Sequence, residues 1–431
     1  MRKNIRKCVS IVAFCMFVIE SVTGCGTRTG TKDTETVIST SEEKKVWDVS
    51  TSFSKGINQF SYKIFEKMDK KENFVISPYS MAVAIGMLDN GADGGTKQEI
   101  EELLGIKDLE EWNASAKYYM SLYEKEQTKL LTANSVWISD QFQLTEQAEN
   151  TFFGPLRTYY GVEQKVMELA TDQAREEINQ WILDKTQGKI DSFLVENLQE
   201  NIEMLLVNAV YFNGNWELEF DENNTVTNDF YGNTNTTQVS YMQQFDKEYR
   251  YVEQNGIRGI ELPYEGGNIV MDIFIPQKEE ENISDLFGAL QLEEKEKLLQ
   301  TLSEAETETI GTVAIPKFQQ EYGVEDISEV LKELGMKQAF LPGGFPRIGD
   351  SVCVDSVLHK AKIEVDETGT TAAAATVIKM KRNAVCLEDK TNFVVNQPFL
   401  YVIRDVKKDI ILFMGIAQDV SSFSGDADHV E

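Results

Sequence analysis

Apolar and polar positions follow two periods along this chain, and the changes of period divide it into helices and strands. From Phe53 the positions Ile57, Phe60, Ile64, Phe65 and Met68 recur at three- and four-residue steps, predicting an amphipathic first helix. The segment NFVISPYS, residues 73–80, leads into the mostly apolar MAVAIGMLDNGA, a second helix that Gly91 can close and for which Ser77 or Ser80 is the N-cap. Residues 134–138 read as a strand, and residues 171–187, with Ile178, Trp181 and Ile182, as a helix broken at Gly188. Residues 204–220, MLLVNAVYFNGNWELEF, form an apolar run bounded by Asn and Gly, the pattern of a strand buried on both sides. Further strands are predicted at 260–263, 268–276 and 312–318, and a short helix at 325–334 is closed by Gly335. Residues 393–403 and 410–417 predict a hairpin about a polar turn at 404–409. There is no internal repeat and no interior linker.

One stretch fits neither period alone. Residues 364–383 read EVDETGTTAAAATVIKMKRN and contain no large side chain from Gly369 to Thr376, so they bury little apolar area and do not hold themselves in place. With a period of two, Thr370, Ala372, Ala374, Thr376, Ile378 and Met380 share an uncharged face. The opposite face carries Thr371, Ala373, Ala375, Val377, Lys379 and Lys381. Without a proline, nothing bars the stretch from a central strand. It reads as an exposed loop that is also a spare strand, or more plainly as an Ala/Thr linker or a short Ala-rich helix.

The N-terminus carries a separate signal. Arg2, Lys3, Arg6 and Lys7 precede an apolar run at 9–19, the order of an export signal and too short to span a membrane. Val22-Thr23-Gly24-Cys25 resembles the lipobox of bacterial lipoproteins, which implies removal of residues 1–24 and lipidation of Cys25; an ordinary signal peptide is the alternative. Residues 25–49 then read as a polar tether and 421–431 as a polar tail. Of five cysteines, Cys353 and Cys386 fall in the folded part, too few for a disulfide framework or a metal site.

Composition narrows the function. Hydrophobic residues at 42% support a sizeable core, and a formal charge of −29 argues against nucleic acid or an anionic membrane surface as partner. With two histidines, His359 and His429, and no G-x-S-x-G, P-loop, GxGxxG or Cys/His cluster, an enzyme is disfavoured, and no cofactor or metal is expected.

HKAKIEVDETGTTAAAAT, residues 359–376, resembles the hinge of the serpins, protease inhibitors that insert their reactive loop into a sheet. Glu367, Gly369, Thr370 and Ala372, Ala373, Ala374 and Ala375 fit its inhibitory form. NFVISPYS, the segment containing Asn134 and Trp137, MLLVNAVYFNGNW, NQPFLYVIRD and ILFMG resemble other serpin signatures, extending the likeness over residues 50–420 as one domain. The resemblance implies an α+β (mixed α/β) serpin fold, with large, mostly antiparallel sheets, about eight or nine helices and an exposed reactive-centre loop. It implies that Ser77, Ser80, Asn208 and His359 form a hydrogen-bonded cluster where the main sheet opens, with His359 as partner of Asn208 and Trp216 at the top of the sheet.

Its functional implication is a monomeric suicide-substrate inhibitor of serine, or also cysteine, proteases, the alternative being a non-inhibitory binding or chaperone protein of the same fold. Counting from Glu367 by the usual family length puts the reactive bond after Asn383; counting back from Pro398-Phe399 puts it near Leu387. The basic cluster Lys379, Lys381 and Arg382 suits a trypsin-like target, and the length of strand to be inserted favours Arg382-Asn383 or Asn383-Ala384 as the bond. Ala384, Val385 and Cys386 suit an elastase-like one. The expected location is the outer face of a bacterial cell membrane, attached through the lipid alone, or release from it.

Overall fold

The computed structural model describes residues 48–68, 70–123, 128–188, 193–200, 202–355, 357–370 and 390–421. The proposed signal, Cys25, nearly all of the tether and tail, Ala372 to Ala375, Arg382, Asn383, Ala384 and Cys386 lie outside the described residues.

Nine α-helices occur among the described residues: α1 (Thr51–Lys67), α2 (Pro78–Asp89), α3 (Gly94–Leu104), α4 (Leu109–Leu122), α5 (Gly154–Tyr160), α6 (Asp172–Lys185), α7 (Ile283–Ala289), α8 (Leu292–Glu304) and α9 (Ser328–Glu333). The strands are β1 (Phe74–Ile76), β2 (Lys129–Ser139), β3 (Glu163–Met167), β4 (Met204–Asn215), β5 (Val226–Tyr231), β6 (Thr236–Gln254), β7 (Ile257–Pro263), β8 (Ile269–Pro276), β9 (Thr307–Pro316), β10 (Phe318–Asp326), β11 (Leu358–Val365), β12 (Gly369–Thr370), β13 (Asn392–Val394), β14 (Phe399–Asp405) and β15 (Ile410–Ala417). A nine-stranded sheet runs β1-β15-β14-β8-β7-β6-β9-β13, with β5 added on β6. A six-stranded sheet runs β10-β11-β12-β4-β2-β3. Only β9 with β13 and β2 with β3 pair in parallel among the described ladders.

The predicted first helix is α1: Ser50 Oγ accepts from the Phe53 amide at 3.2 Å, and Phe53, Ile57, Phe60, Ile64 and Phe65 are all buried. Burial extends almost all round α2, because it lies against both β15 and β4, one strand from each sheet. Its cap is Ser77, whose Oγ accepts from the Ser80 amide at 3.3 Å.

Three predicted strands are corrected. The strand within 204–220 ends at Asn215, with Trp216 bridging to Tyr264 beyond it, and its burial is not two-sided along its length. Leu205 and Val207 are buried in a cluster with Ile178 and Ile182 of α6, whereas Val210, Phe212 and Gly214 are buried on the opposite face. Met204, Leu206 and Asn208, which share that second face, are only half-buried because they border a cavity. The predicted strand at 312–318 is two strands meeting at Lys317, with Pro316 ending β9. The predicted hairpin arm at 393–403 is also two: β13 pairs with β9, and only β14 pairs with β15. Pro398, which has no N–H to give a ladder, marks that break.

Candidate functional site: the parted sheet and the hinge

Among the described residues no ladder joins β4 to β11; the two-residue β12 lies between them. Gly369 stands opposite Asn215 and Thr370 opposite Gly214, while Thr370 also stands opposite Val365. The head of the spare strand is therefore already inside the sheet. A Cβ on Gly369 would come within 2.1 Å of the Gly214 carbonyl oxygen, so glycine is the residue that this close approach admits.

The residues before β12 are gripped from several sides. The Asp366 carboxylate accepts from the amides of Thr368 and Gly369 at 2.9 and 3.1 Å and from the Thr368 hydroxyl at 2.7 Å, which folds the chain into the turn entering β12. Trp216 donates its indole N–H to the Asp366 carbonyl at 2.9 Å and its amide to the Thr368 carbonyl at 2.8 Å. The Glu367 carboxylate accepts from Thr225 Oγ1 at 2.7 Å and pairs with Lys317 Nζ at 3.2 Å, both side chains being largely buried. Thr370 is 1% exposed, and its hydroxyl shares a 2.7 Å hydrogen bond with Tyr264, whose ring stacks on Trp216 with centroids 4.6 Å apart. Of these, Glu367, Gly369, Thr370 and Trp216 were legible in the sequence. Tyr264, Lys317 and Thr225 were not, since each arrives from a distant segment.

Lower in the sheet the polar residues of β4, β11 and α2 meet. Ser77 donates its amide to His359 Nε2 at 3.2 Å and its hydroxyl to the Leu412 carbonyl at 2.8 Å. Ser80 Oγ donates to Asn208 Oδ1. Asn208 Nδ2 donates to Asn134 Oδ1 at 2.6 Å, and Asn134 passes the chain on to the Tyr160 carbonyl at 2.9 Å. The cluster thus forms, with one correction: among the described residues His359 bonds to Ser77 and not to Asn208. Asn134 is the member that the sequence reading missed as a partner. A polar residue directly opposite Asn208 in an otherwise apolar strand pair was the available signal.

His359 is 6% exposed, and burial holds its imidazole down at about 3, so it is neutral. With Nε2 accepting from Ser77, the assigned tautomer carries its proton on Nδ1. His359 borders a cavity of about 90 Å³ beside β4, together with Ser80, Met204, Leu206, Asn208 and Cys353.

This predicts a pH dependence of definite sign. The unfolded chain binds a proton at His359 near 6.5 and the folded chain only near 3, so stability present above about 6.5 is lost as pH falls. The slope is at most ~1.4 kcal/mol per pH unit. Asp89 acts oppositely, since burial lifts its carboxyl to about 6 and acidification relieves its buried charge. Urea unfolding of wild type and His359→Gln at pH 7 and pH 5 separates the two: wild type should lose more than the variant, and equal losses would contradict the assignment.

Two sheets accompanied by helices, the smaller carrying the two-residue β12 between β4 and β11, define the fold class. The family model described as serpin (serine protease inhibitor) matches residues 55–420, and the chain belongs to that family. An uncharacterized serpin-like protein of Thermococcus kodakarensis is 31% identical over 369 residues, covering 83% of this chain and 84% of its own. Antithrombin-III of Ovis aries is 29% identical over 391 residues, covering 86% and 82%. The crystal structure of a thermophilic serpin, tengpin, in the native state matches with a TM-score of 0.76 and 27% identity, over 86% of this chain and 95% of that one. Serpins are generally protease inhibitors rather than enzymes.

Proposed function

We propose that this chain inhibits serine proteases as a suicide substrate, by cleavage of its loop and insertion of the cut strand between β4 and β11. The observation that carries this reading is the register of β12. Continued one residue at a time, the pairing of Gly369 with Asn215 and of Thr370 with Val365 would bring Thr376 opposite Asn208 on one side and His359 on the other. A threonine hydroxyl would then arrive among the polar side chains of Asn208 and His359. Ala372 and Ala374 would come opposite Phe212 and Val210, both buried, where small side chains cost little to admit.

The protease supplies the chemistry. Its own nucleophile attacks the loop and forms an acyl-enzyme, and this chain supplies no catalytic group. Insertion then carries the acylated protease along; a strand rises ~3.3 Å per residue, so some sixteen residues span ~50 Å. Distortion over that distance outruns hydrolysis.

Sheet length bears on the reactive bond. The continued register brings Met380 opposite Met204, the first residue of β4, so Arg382 and Asn383 would end the inserted strand at the foot of the sheet. Cleavage several residues later leaves slack. We therefore assign the reactive bond to Arg382-Asn383, which a trypsin-like target would cut, or to Asn383-Ala384, an elastase-like cut after Ala384 or Val385 being the second choice. The test is incubation with a panel of serine and cysteine proteases, detection of complexes that survive SDS, and mass measurement of the C-terminal peptide released on denaturation. A peptide beginning at Asn383 or Ala384 is expected; one beginning at Cys386 or later, or no stable complex with any protease, would count against the assignment.

We also propose that the mature chain begins at a lipidated Cys25 and is held at the outer face of the cell membrane, the basic segment and apolar run before a lipobox-like Cys being the support. Cys25→Ala should lose its acyl mass and leave the membrane fraction. Wild type recovered soluble and unacylated would sink the idea.

A further inference from the structure

We propose that Glu203 is a positioning residue for insertion, its carboxylate receiving the ammonium of Lys381 and so fixing where the entering strand comes to rest; this rests on the insertion reading above. The register of β12 can be continued one pair past the first residue of β4. Gly369 opposite Asn215 and Thr370 opposite Gly214 lead to Met380 opposite Met204 and Lys381 opposite Glu203. The backbone keeps its strand geometry that far, because on the other edge of β4 Ile138 pairs with Met204, and the Ser139 amide then donates to the Glu203 carbonyl at 2.8 Å. Directly opposed residues of an antiparallel pair point to the same face with Cβ atoms about 4.5–5.5 Å apart, within reach for a carboxylate and an ammonium.

The pattern of charge on the two strands agrees with this register. β4, reading MLLVNAVYFNGN, has no charged residue, and the entering strand has none from Thr370 to Ile378. Charge begins on the one at Lys379 and on the other at Glu203, both at the foot of the sheet. The faces agree as well. Period two puts Glu203 on the side of β4 that carries Leu205 and Val207, which are buried with Ile178 and Ile182 of α6. Ala375, Val377 and Lys379 would lie on that same side, opposite Ala209, Val207 and Leu205. The stem of Lys379 then covers apolar surface while its ammonium leaves toward the foot, where Glu203 is the acidic group next along β4. In the intact chain Glu203 is half-exposed and has no ion pair among the described residues, so its carboxylate is open to the arriving lysine.

A pair at this place does nothing for the entry of the hinge. It acts on the last step, in which the acylated protease is drawn to the foot of the sheet, and it opposes withdrawal of the strand end that would let the acyl-enzyme recover its geometry.

Full-length wild type, Glu203→Lys, Lys381→Glu and the double variant are cut in the loop, the cut is located by mass, and the rise in melting temperature on cutting is compared. Wild type should show the largest rise. Each single variant should lose about 2–4 °C of it, and the double variant, with opposite charges restored, should regain the loss. Glu203→Asp, which keeps the charge, should stay close to wild type. A merely structural role for Glu203 would instead move the midpoint of the intact chain and would not be rescued by Lys381→Glu. Complexes give a second reading, since protease activity should return faster from the Glu203→Lys complex than from that of wild type. Losses that simply add in the double variant, or a loop cut only before Lys381, would overturn this inference alone. Wild type that gains no stability on cutting would overturn the insertion reading, and this inference with it.

Discussion

A Thr370→Arg variant is expected to be cut in its loop as fast as wild type and to release the protease, giving cleaved chain where wild type gives complex. Thr370 is the second residue of β12, buried between β4 and β11, with its hydroxyl on Tyr264. Arginine there must either bury an unpaired guanidinium, which costs several kcal/mol, or hold β12 out of the sheet. Either way the first step of insertion is raised relative to hydrolysis, and since the outcome is a race between them, a few kcal/mol converts nearly all of the product from complex to cleaved inhibitor. Thr370→Ser, which keeps the hydroxyl, should behave as wild type. Gel quantification of complex and cleaved chain decides it: equal complex yields from Thr370→Arg and wild type would refute insertion through this gap.

The second large effect is on stability. Cutting the loop of wild type should raise the melting temperature by more than ~10 °C, because each kcal/mol gained moves the midpoint of a domain of a few hundred residues by only ~2–4 °C and the gain here is a whole strand. In the intact chain β12 contributes two residues between β4, twelve residues long, and β11, eight residues long. Filling the gap would supply both strands with a further partner along their length. Differential scanning calorimetry of intact and cut protein measures the change. An unchanged midpoint, with the loop shown by mass to be cut, would favour a binding protein of the same fold that does not insert.

These two effects are written in different parts of the chain. The small, uncharged face of residues 370–380 was legible because a period of two needs no tertiary information, and the demand that Gly369 be glycine was legible as a pattern though not as a cause. The cause is the Gly214 carbonyl, a contact between residues far apart in sequence. The Ser77 cap and the burial of α1 were legible for the same local reason, since both follow from spacing within one helix. The two-sided burial expected of residues 204–220 was wrong because an apolar run does not reveal what leaves its neighbour missing: β4 borders a cavity at Met204, Leu206 and Asn208.

The sequence by itself determined most of the elements and the family, because these depend on side-chain order and on the small set of residues that hinges, caps and tight approaches tolerate. Only the tertiary structure decided how far the hinge has entered, who holds it and what waits below. Lys317, Thr225 and Tyr264 reach Glu367 and Thr370 from other strands and loops, His359 bonds to Ser77 in place of Asn208, and Cys353 comes to border a cavity beside β4. Each of these is a long-range contact whose partner is set by how the sheets pack, and no local pattern of residues encodes the distance between two strands.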